Sequence, residues 1–182
     1  MNLPNFISLI RLCAVPLIIW LILNGEMRFA FILTLIAAVS DAVDGIIAKT
    51  FNKITVLGGY LDPIADKALL VGTFVALGSQ GFLPSWLVIL VVFRDFVIVG
   101  GALFFQILTH SLCVKPILLS KFNTVVQLIL IVSILGANAF NLNISNFHAL
   151  MIYLVALTTL FSGMSYIIIW IKKASDFEQK NF

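Results

Sequence analysis

A chain of 182 residues that is 62% hydrophobic and 10% charged, with a mean hydropathy of +1.14, is not a water-soluble domain. Its net charge of +3 is small, and its basic residues are spread out rather than clustered, which argues against nucleic acid as a partner. Apolar runs long enough to cross a bilayer recur along it, so the expectation is an all-α integral membrane protein, one domain over residues 1–182.

The opening MNLPNFISLIRL carries Asn2, Asn5, Ser8 and Arg11 at helical intervals and reads as a short interfacial segment or the polar start of the first span. That span runs to about Leu23. With Pro16 inside it and no small-residue cleavage pattern after it, it reads as a retained helix. A turn at Asn24-Gly25-Glu26 leads into a second span from about Phe29 to Lys49. A polar link, Thr50 to Thr55, leads through Gly58 and Gly59 to a third span from about Leu61 to Leu77. The uncharged turn Gly78 to Pro84 precedes a fourth span, Ser85 to Leu108, with Arg94 and Asp95 at mid-depth. His110 to Lys121 is the next polar connection. A fifth span ends near Leu135, Asn138 to Asn146 is again uncharged, and a sixth span covers Ala149 to Ile171 before a charged tail. Cys13 and Cys113, in apolar surroundings and without pairing or metal spacing, read as packing residues.

Six spans put both termini on one side. That side would hold Arg11, Lys49, Lys53, Lys67, Lys115, Lys121, Lys172, Lys173 and Lys180, and the other only Arg28. The asymmetry makes both termini cytoplasmic, in a bacterial inner membrane or its equivalent. Lys172 and Lys173 would anchor the last span against anionic lipid. His110 and His148 stand alone at span ends, where an interfacial role suits them.

Within this hydrocarbon-rich chain, Ser40 to Lys67 holds four carboxylates, Asp41, Asp44, Asp62 and Asp66. Carboxylates in a bilayer are costly and face a bundle interior or a wet cavity. Asp41, Asp44, Gly45 and Ala48 share one helical face, and Asp62 and Asp66 another on the following helix. The short link makes those helices antiparallel neighbours whose acidic faces meet near the cytoplasmic end, opening a cavity toward the cytoplasm. Asp62-Pro63 fits a helix start, with Asp62 near the N-cap and Pro63 at N1. Helix caps account for one or two such aspartates, not for four. Two divalent cations, Mg²⁺ or Mn²⁺, would relieve their mutual repulsion, and a paired-metal site of hard oxygen donors suits phosphoryl transfer.

The pattern Asp41-x2-Asp44-Gly45-x2-Ala48-Lys49-x8-Gly58-x3-Asp62-x3-Asp66 resembles the signature of the CDP-alcohol phosphatidyltransferases, matching it at seven of eight positions. Lys49 is the departure: the family usually has arginine there, whose bidentate fork a lysine lacks. The resemblance implies a six-helix, usually dimeric membrane enzyme that holds the diphosphate of a CDP-linked lipid through two metals. Asp41, Asp44 and Asp62 would be metal ligands, and Asp66 a metal ligand and the general base. Gly45, Ala48, Lys49 and Gly58 would line the CDP-lipid site. An acceptor hydroxyl would attack the β-phosphorus, and CMP would leave.

The chain is similar at its start, NLPNFISLIRLCAVP, to both phosphatidylglycerophosphate synthases and CMP-forming cardiolipin synthases. Arg94-Asp95 stands where the glycerophosphate enzymes tend to have Arg-Glu, whereas KPILLSKFNTVVQ, Lys115 to Gln127, is similar to the cardiolipin synthase version K-P-x3-S-K-x-N-T-x2-Q. The expected donor is CDP-diacylglycerol and the favoured acceptor phosphatidylglycerol, with glycerol-3-phosphate the alternative. Either acceptor carries a phosphate, for which Arg94, Lys115 and Lys121 are the candidate ligands. Adjacent residues on a helix point to different faces, so Arg94 is expected to find a partner other than Asp95. Membrane aromatic prenyltransferases space their acidic motifs far apart, and a cation or proton transporter would spread its acids through the bilayer. Here four lie at one end and Asp95 alone is deep.

Overall fold

The computed structural model describes the backbone of residues 3–51, 56–109 and 118–181, and side chains over 9–40, 65, 67–101 and 118–172. Six helices account for almost all of it: α1 (Leu3–Leu23), α2 (Met27–Phe51), α3 (Val56–Ser79), α4 (Ser85–Thr109), α5 (Leu118–Phe140) and α6 (Ser145–Asn181).

The connections within the pairs α1–α2, α3–α4 and α5–α6 are short and share one construction. In each, a residue just past the helix takes a left-handed backbone: Gly25 (φ 77°), Gly81 (φ 78°) and Asn141 (φ 54°). Glycine and asparagine are the residues that adopt this conformation at least cost. Behind each, an amide reaches back five residues to close the helix end, Glu26 to the Leu21 carbonyl (2.9 Å), Phe82 to Leu77 (3.0 Å) and Leu142 to Ala137 (2.8 Å). All three belong to the Schellman class of helix end. They lie together at one end of the bundle, opposite the acidic end of α2 and α3.

Packing joins the helices in a closed ring, α1–α2–α5–α6–α4–α3 and back to α1, with α3 also touching α5 across it. Val15, Ile18 and Ile22 of α1, Leu70, Phe74 and Leu77 of α3, and Leu130, Ile131 and Ile134 of α5 fill the centre. Small residues set the close crossings. A Cβ on Gly72 would lie 2.9 Å from the Ile19 side chain, and one on Gly101 would lie 2.6 Å from the Trp170 indole nitrogen. Outward faces are as apolar as inward ones: Trp86, Ile89, Phe93 and Phe96 on α4 and Leu150, Tyr153 and Leu157 on α6 are exposed. Helices hydrophobic all round belong in hydrocarbon rather than water. Leu118–Phe140 and Ser145–Lys172, each with mean hydropathy 1.9, are long and apolar enough to cross a membrane.

Several expectations need correction. From Leu3 onward the N-terminal residues are the first turns of α1, which passes through Pro16. Among the described residues α2 and α3 do not pack together. Instead α1, whose buried side chains fit against both, lies between them. The third helix begins at Val56, so Asp62 and Pro63 stand inside it rather than at a cap. Pro63 withholds a donor from the Gly59 carbonyl, a loss that packing of α3 outweighs. α5 runs on to Phe140, and the charged tail continues α6 to Asn181. Cys13 is exposed on the outer face of α1, while Cys113 lies outside the described residues.

Candidate active site

The four aspartates occupy matched levels on two helices. Asp44 lies about 10 Å before the end of α2 at Phe51, and Asp62 about 9 Å after the start of α3 at Val56. Asp41 and Asp66 lie each about 15 Å from the same ends. Five peptide steps join Phe51 to Val56, so those ends are at most about 18 Å apart. Carboxylates are the oxygen donors that hard divalent cations take. The side chains of these aspartates, of Ala48 and of Lys49 are outside the described ones, as is the site role of Gly45 and Gly58, and Lys115 is outside the described residues altogether. Among the described residues no three His, Cys, Asp or Glu side chains come together.

One residue beyond Asp66 a buried polar network begins. Lys67 on α3 donates to Asp95 Oδ1 on α4 at 2.5 Å, and Arg94 Nη1 donates to the same oxygen at 2.6 Å. Asp95 and Arg94 are 4% and 3% exposed, Lys67 more so. Arg94 Nη2 then donates to Ser120 Oγ of α5 at 2.6 Å and to Ser162 Oγ of α6 at 2.5 Å. Four helices are thus tied at one level. Asp95, about 15 Å from the start of α4, and Lys67, about 18 Å from the end of α3, stand side by side because those helices run antiparallel across the 80–84 turn. Arg94 does pair with its neighbour Asp95, against expectation. Two adjacent Cβ atoms point apart, but the long arginine stem lets the guanidinium curl back to the carboxylate.

Below this network Asn123 and Gln127 of α5 are fully buried. Asn123 Oδ1 accepts from Thr158 Oγ1 (2.8 Å) and Thr159 Oγ1 (3.0 Å) of α6, and Gln127 Nε2 approaches Thr159 Oγ1 at 3.5 Å. Ser120, Asn123 and Gln127 recur at i, i+3 and i+7, so the segment similar to the cardiolipin synthases presents one polar stripe inward. Lys121, one residue off that stripe, is exposed and joins no described contact of the network. Sequence reasoning missed the inward roles of Lys67, Ser120, Asn123, Gln127 and Ser162. Their signal is the helical spacing of polar residues in apolar helices. At the opposite end, Arg28 Nε donates to the Ala139 carbonyl at 3.0 Å, where a cation complements the C-terminus of α5. His148, half-buried near the start of α6, lies beside the Phe147 ring and away from the network.

Residues 1–172 match the family described as CDP-alcohol phosphatidyltransferase, which takes in both acidic helices and the whole network. The chain belongs to that family. Among its relatives in this family, the chloroplastic CDP-diacylglycerol–glycerol-3-phosphate 3-phosphatidyltransferase 1 of Oryza sativa is 34% identical, over 91% of this chain and 56% of the relative. The probable CMP-forming cardiolipin synthase of Drosophila melanogaster is 33% identical, over 92% of this chain and 57% of the relative. The CDP-diacylglycerol–glycerol-3-phosphate 3-phosphatidyltransferase of Rickettsia bellii is 29% identical, over 91% of this chain and 93% of the relative. The chain therefore spans little more than half the length of the first two relatives and almost all of the third.

Proposed function

We propose that this CDP-alcohol phosphatidyltransferase moves the phosphatidyl group of CDP-diacylglycerol to phosphatidylglycerol, giving cardiolipin and CMP. The observation that carries the class is the pair of matched carboxylate levels on α2 and α3 inside an otherwise apolar bundle. Asp41, Asp44, Asp62 and Asp66 would hold two divalent ions, Mg²⁺ or Mn²⁺, whose charge would neutralise the diphosphate and the charge that develops on it. Asp66 takes the proton from the acceptor hydroxyl. The freed oxygen bonds to the β-phosphorus, and the bond from that phosphorus to the oxygen of CMP breaks. Gly45, Ala48 and Gly58, with little or no side chain, leave room for the CDP-lipid, and Lys49 supplies a positive charge to its diphosphate.

The acceptor phosphate falls to Arg94, with Lys115 and Lys121 drawing it toward the connection before α5. The inward stripe Ser120, Asn123 and Gln127, lying within the segment similar to cardiolipin synthases, supports phosphatidylglycerol as acceptor. The Oryza and Rickettsia relatives favour glycerol-3-phosphate as the second reading. We place the enzyme in a bacterial inner membrane or its equivalent, with six spans, both termini cytoplasmic, and a homodimer as the working unit. The charge bias along the chain and the exposed apolar faces of α4 and α6 support this.

Purified protein with Mg²⁺, CDP-diacylglycerol and both acceptors in competition tests the reading through CMP release and the lipid product. Cardiolipin is the expected product. Phosphatidylglycerophosphate would transfer the assignment to the second reading, and absence of metal-dependent CMP release would overturn the class.

A further inference from the structure

The end of the bundle away from the aspartates carries two charged residues, Glu26 and Arg28. Residues 20–32, 76–90 and 134–152, which build that end, hold no other Asp, Glu, Lys or Arg. Both line one open cavity of about 530 Å³, set between the turn and first residues of α2 and the last residues of α5. Small-molecule sites span about 300–1,000 Å³, so the cavity has the size of one. Arg28 lies about 24 Å along α2 from Asp44, which separates this cavity from the acidic end.

Its polar groups are held in place but not used up. Arg28 Nε donates to the Ala139 carbonyl at 3.0 Å, which orients the guanidinium, and the Nη hydrogens have no partner among the described residues. Asn138 Nδ2 donates to the Ile134 carbonyl at 2.8 Å, which leaves Asn138 Oδ1 without a donor among them. The Glu26 carboxylate makes no bond to any described residue, Arg28 included. A guanidinium with free Nη hydrogens suits a phosphate diester. A carboxylate and an amide oxygen suit a positive group that carries N–H donors. A purely anionic headgroup would set its charge against Glu26, and a trimethylammonium has no proton to give Asn138. Phe29 and Ile32, which line the cavity, continue along α2 into Ile36 and Val39 at i, i+3, i+7 and i+10, all of them exposed. A charged cavity that opens onto an apolar helix face fits a lipid, with its head in the cavity and a chain along the stripe.

We propose that this cavity binds a phospholipid whose headgroup carries both a phosphate and a primary ammonium. Arg28 holds the phosphate, and Glu26 and Asn138 Oδ1 hold the ammonium. The site is additional to the donor and acceptor sites of the transfer reaction. It rests on the bundle lying in a membrane and not on which acceptor the enzyme uses. A lipid held there braces the turns at Gly25 and Asn141, between which the cavity lies.

The test titrates the full-length protein in detergent with phosphatidylethanolamine, phosphatidylcholine and phosphatidylglycerol of the same chains, and counts bound lipid by native mass spectrometry. Melting without added lipid verifies that each variant is folded. Phosphatidylethanolamine is expected to bind about ten-fold more tightly than either of the others, the worth of one hydrogen bond to a charged group. Arg28→Gln should weaken it about ten-fold. Glu26→Gln should weaken phosphatidylethanolamine and strengthen phosphatidylglycerol, an inversion that a merely structural Glu26 would not produce. Equal binding of the three lipids to the native protein, or phosphatidylethanolamine binding unchanged in both variants, would overturn the proposal. Tighter binding of phosphatidylglycerol than of phosphatidylethanolamine would overturn the ammonium, and glycerophosphoethanolamine bound as tightly as the lipid would overturn the chain. Absence of CMP release bears on the transfer reaction and leaves this readout untouched. A chain that stays monodisperse without detergent would instead overturn its placement in a membrane, and this site with it.

Discussion

Replacing Asp95 by alanine isolates the energetics of the network. In the native protein one carboxylate oxygen receives Lys67 at 2.5 Å and Arg94 at 2.6 Å, and Arg94 is 3% exposed. Removing one member of a buried ion pair leaves the other charge without compensation and costs about 3–5 kcal/mol. For a chain of this size each kcal/mol moves the melting temperature by about 2–4 °C, so Asp95→Ala should melt about 6–20 °C lower. The cost should shrink when the stranded charge is removed too. An Arg94→Met/Asp95→Leu variant, which fills similar volume with apolar atoms, should regain most of the lost stability while losing transfer activity. Melting in detergent of the native protein, Arg94→Met, Asp95→Leu and their double variant, followed by the loss of monodisperse protein on size exclusion, gives the four corners of the double-mutant cycle. A drop below about 1 kcal/mol in Asp95→Ala, or a double variant less stable than that single one, would refute the view of Asp95 as the charge that holds Arg94.

Three further outcomes follow from other parts of the molecule. Asp44→Ala and Asp66→Asn should each abolish CMP release, and chelation of divalent ions should do the same to the native protein, with recovery on adding Mg²⁺ or Mn²⁺; a metal-dependent CMP assay reads all of these. Gly101→Val should destabilise the bundle by about 1–3 kcal/mol, because its Cβ would enter the Trp170 indole at 2.6 Å, and thermal melting measures it. Arg28→Ala should cost about 1 kcal/mol by removing the cation from the Ala139 carbonyl, leaving the acceptor and donor KM values unchanged.

Much of this molecule is written plainly in its residues. Apolar runs fix the number of helices, and Gly25 and Gly81 mark two of the three tight turns. The spacing of Asp41, Asp44, Asp62 and Asp66 is enough by itself to mark the acidic end. The missed features each depend on tertiary packing. Asp62-Pro63 has the local form of a helix start, but α3 gains more by extending to Val56 and packing than it loses at Pro63. That α1 stands between α2 and α3 follows from which buried faces fit together, not from the length of the link. The Arg94–Asp95 pair defeats a rule about Cβ directions because an arginine head lies far from its Cβ. The outward position of Cys13 depends on which face of α1 the ring of helices leaves uncovered.

The three Schellman turns have a mechanical consequence. They bind each pair of helices tightly at the end away from the aspartates, like stems tied below a bouquet. The links between pairs follow α2 and α4, whose last turns stand at the other end. A bundle so fastened resists spreading at its tied end and yields most easily at the other. The same three turns that stabilise the fold thereby give its two ends different resistance to spreading.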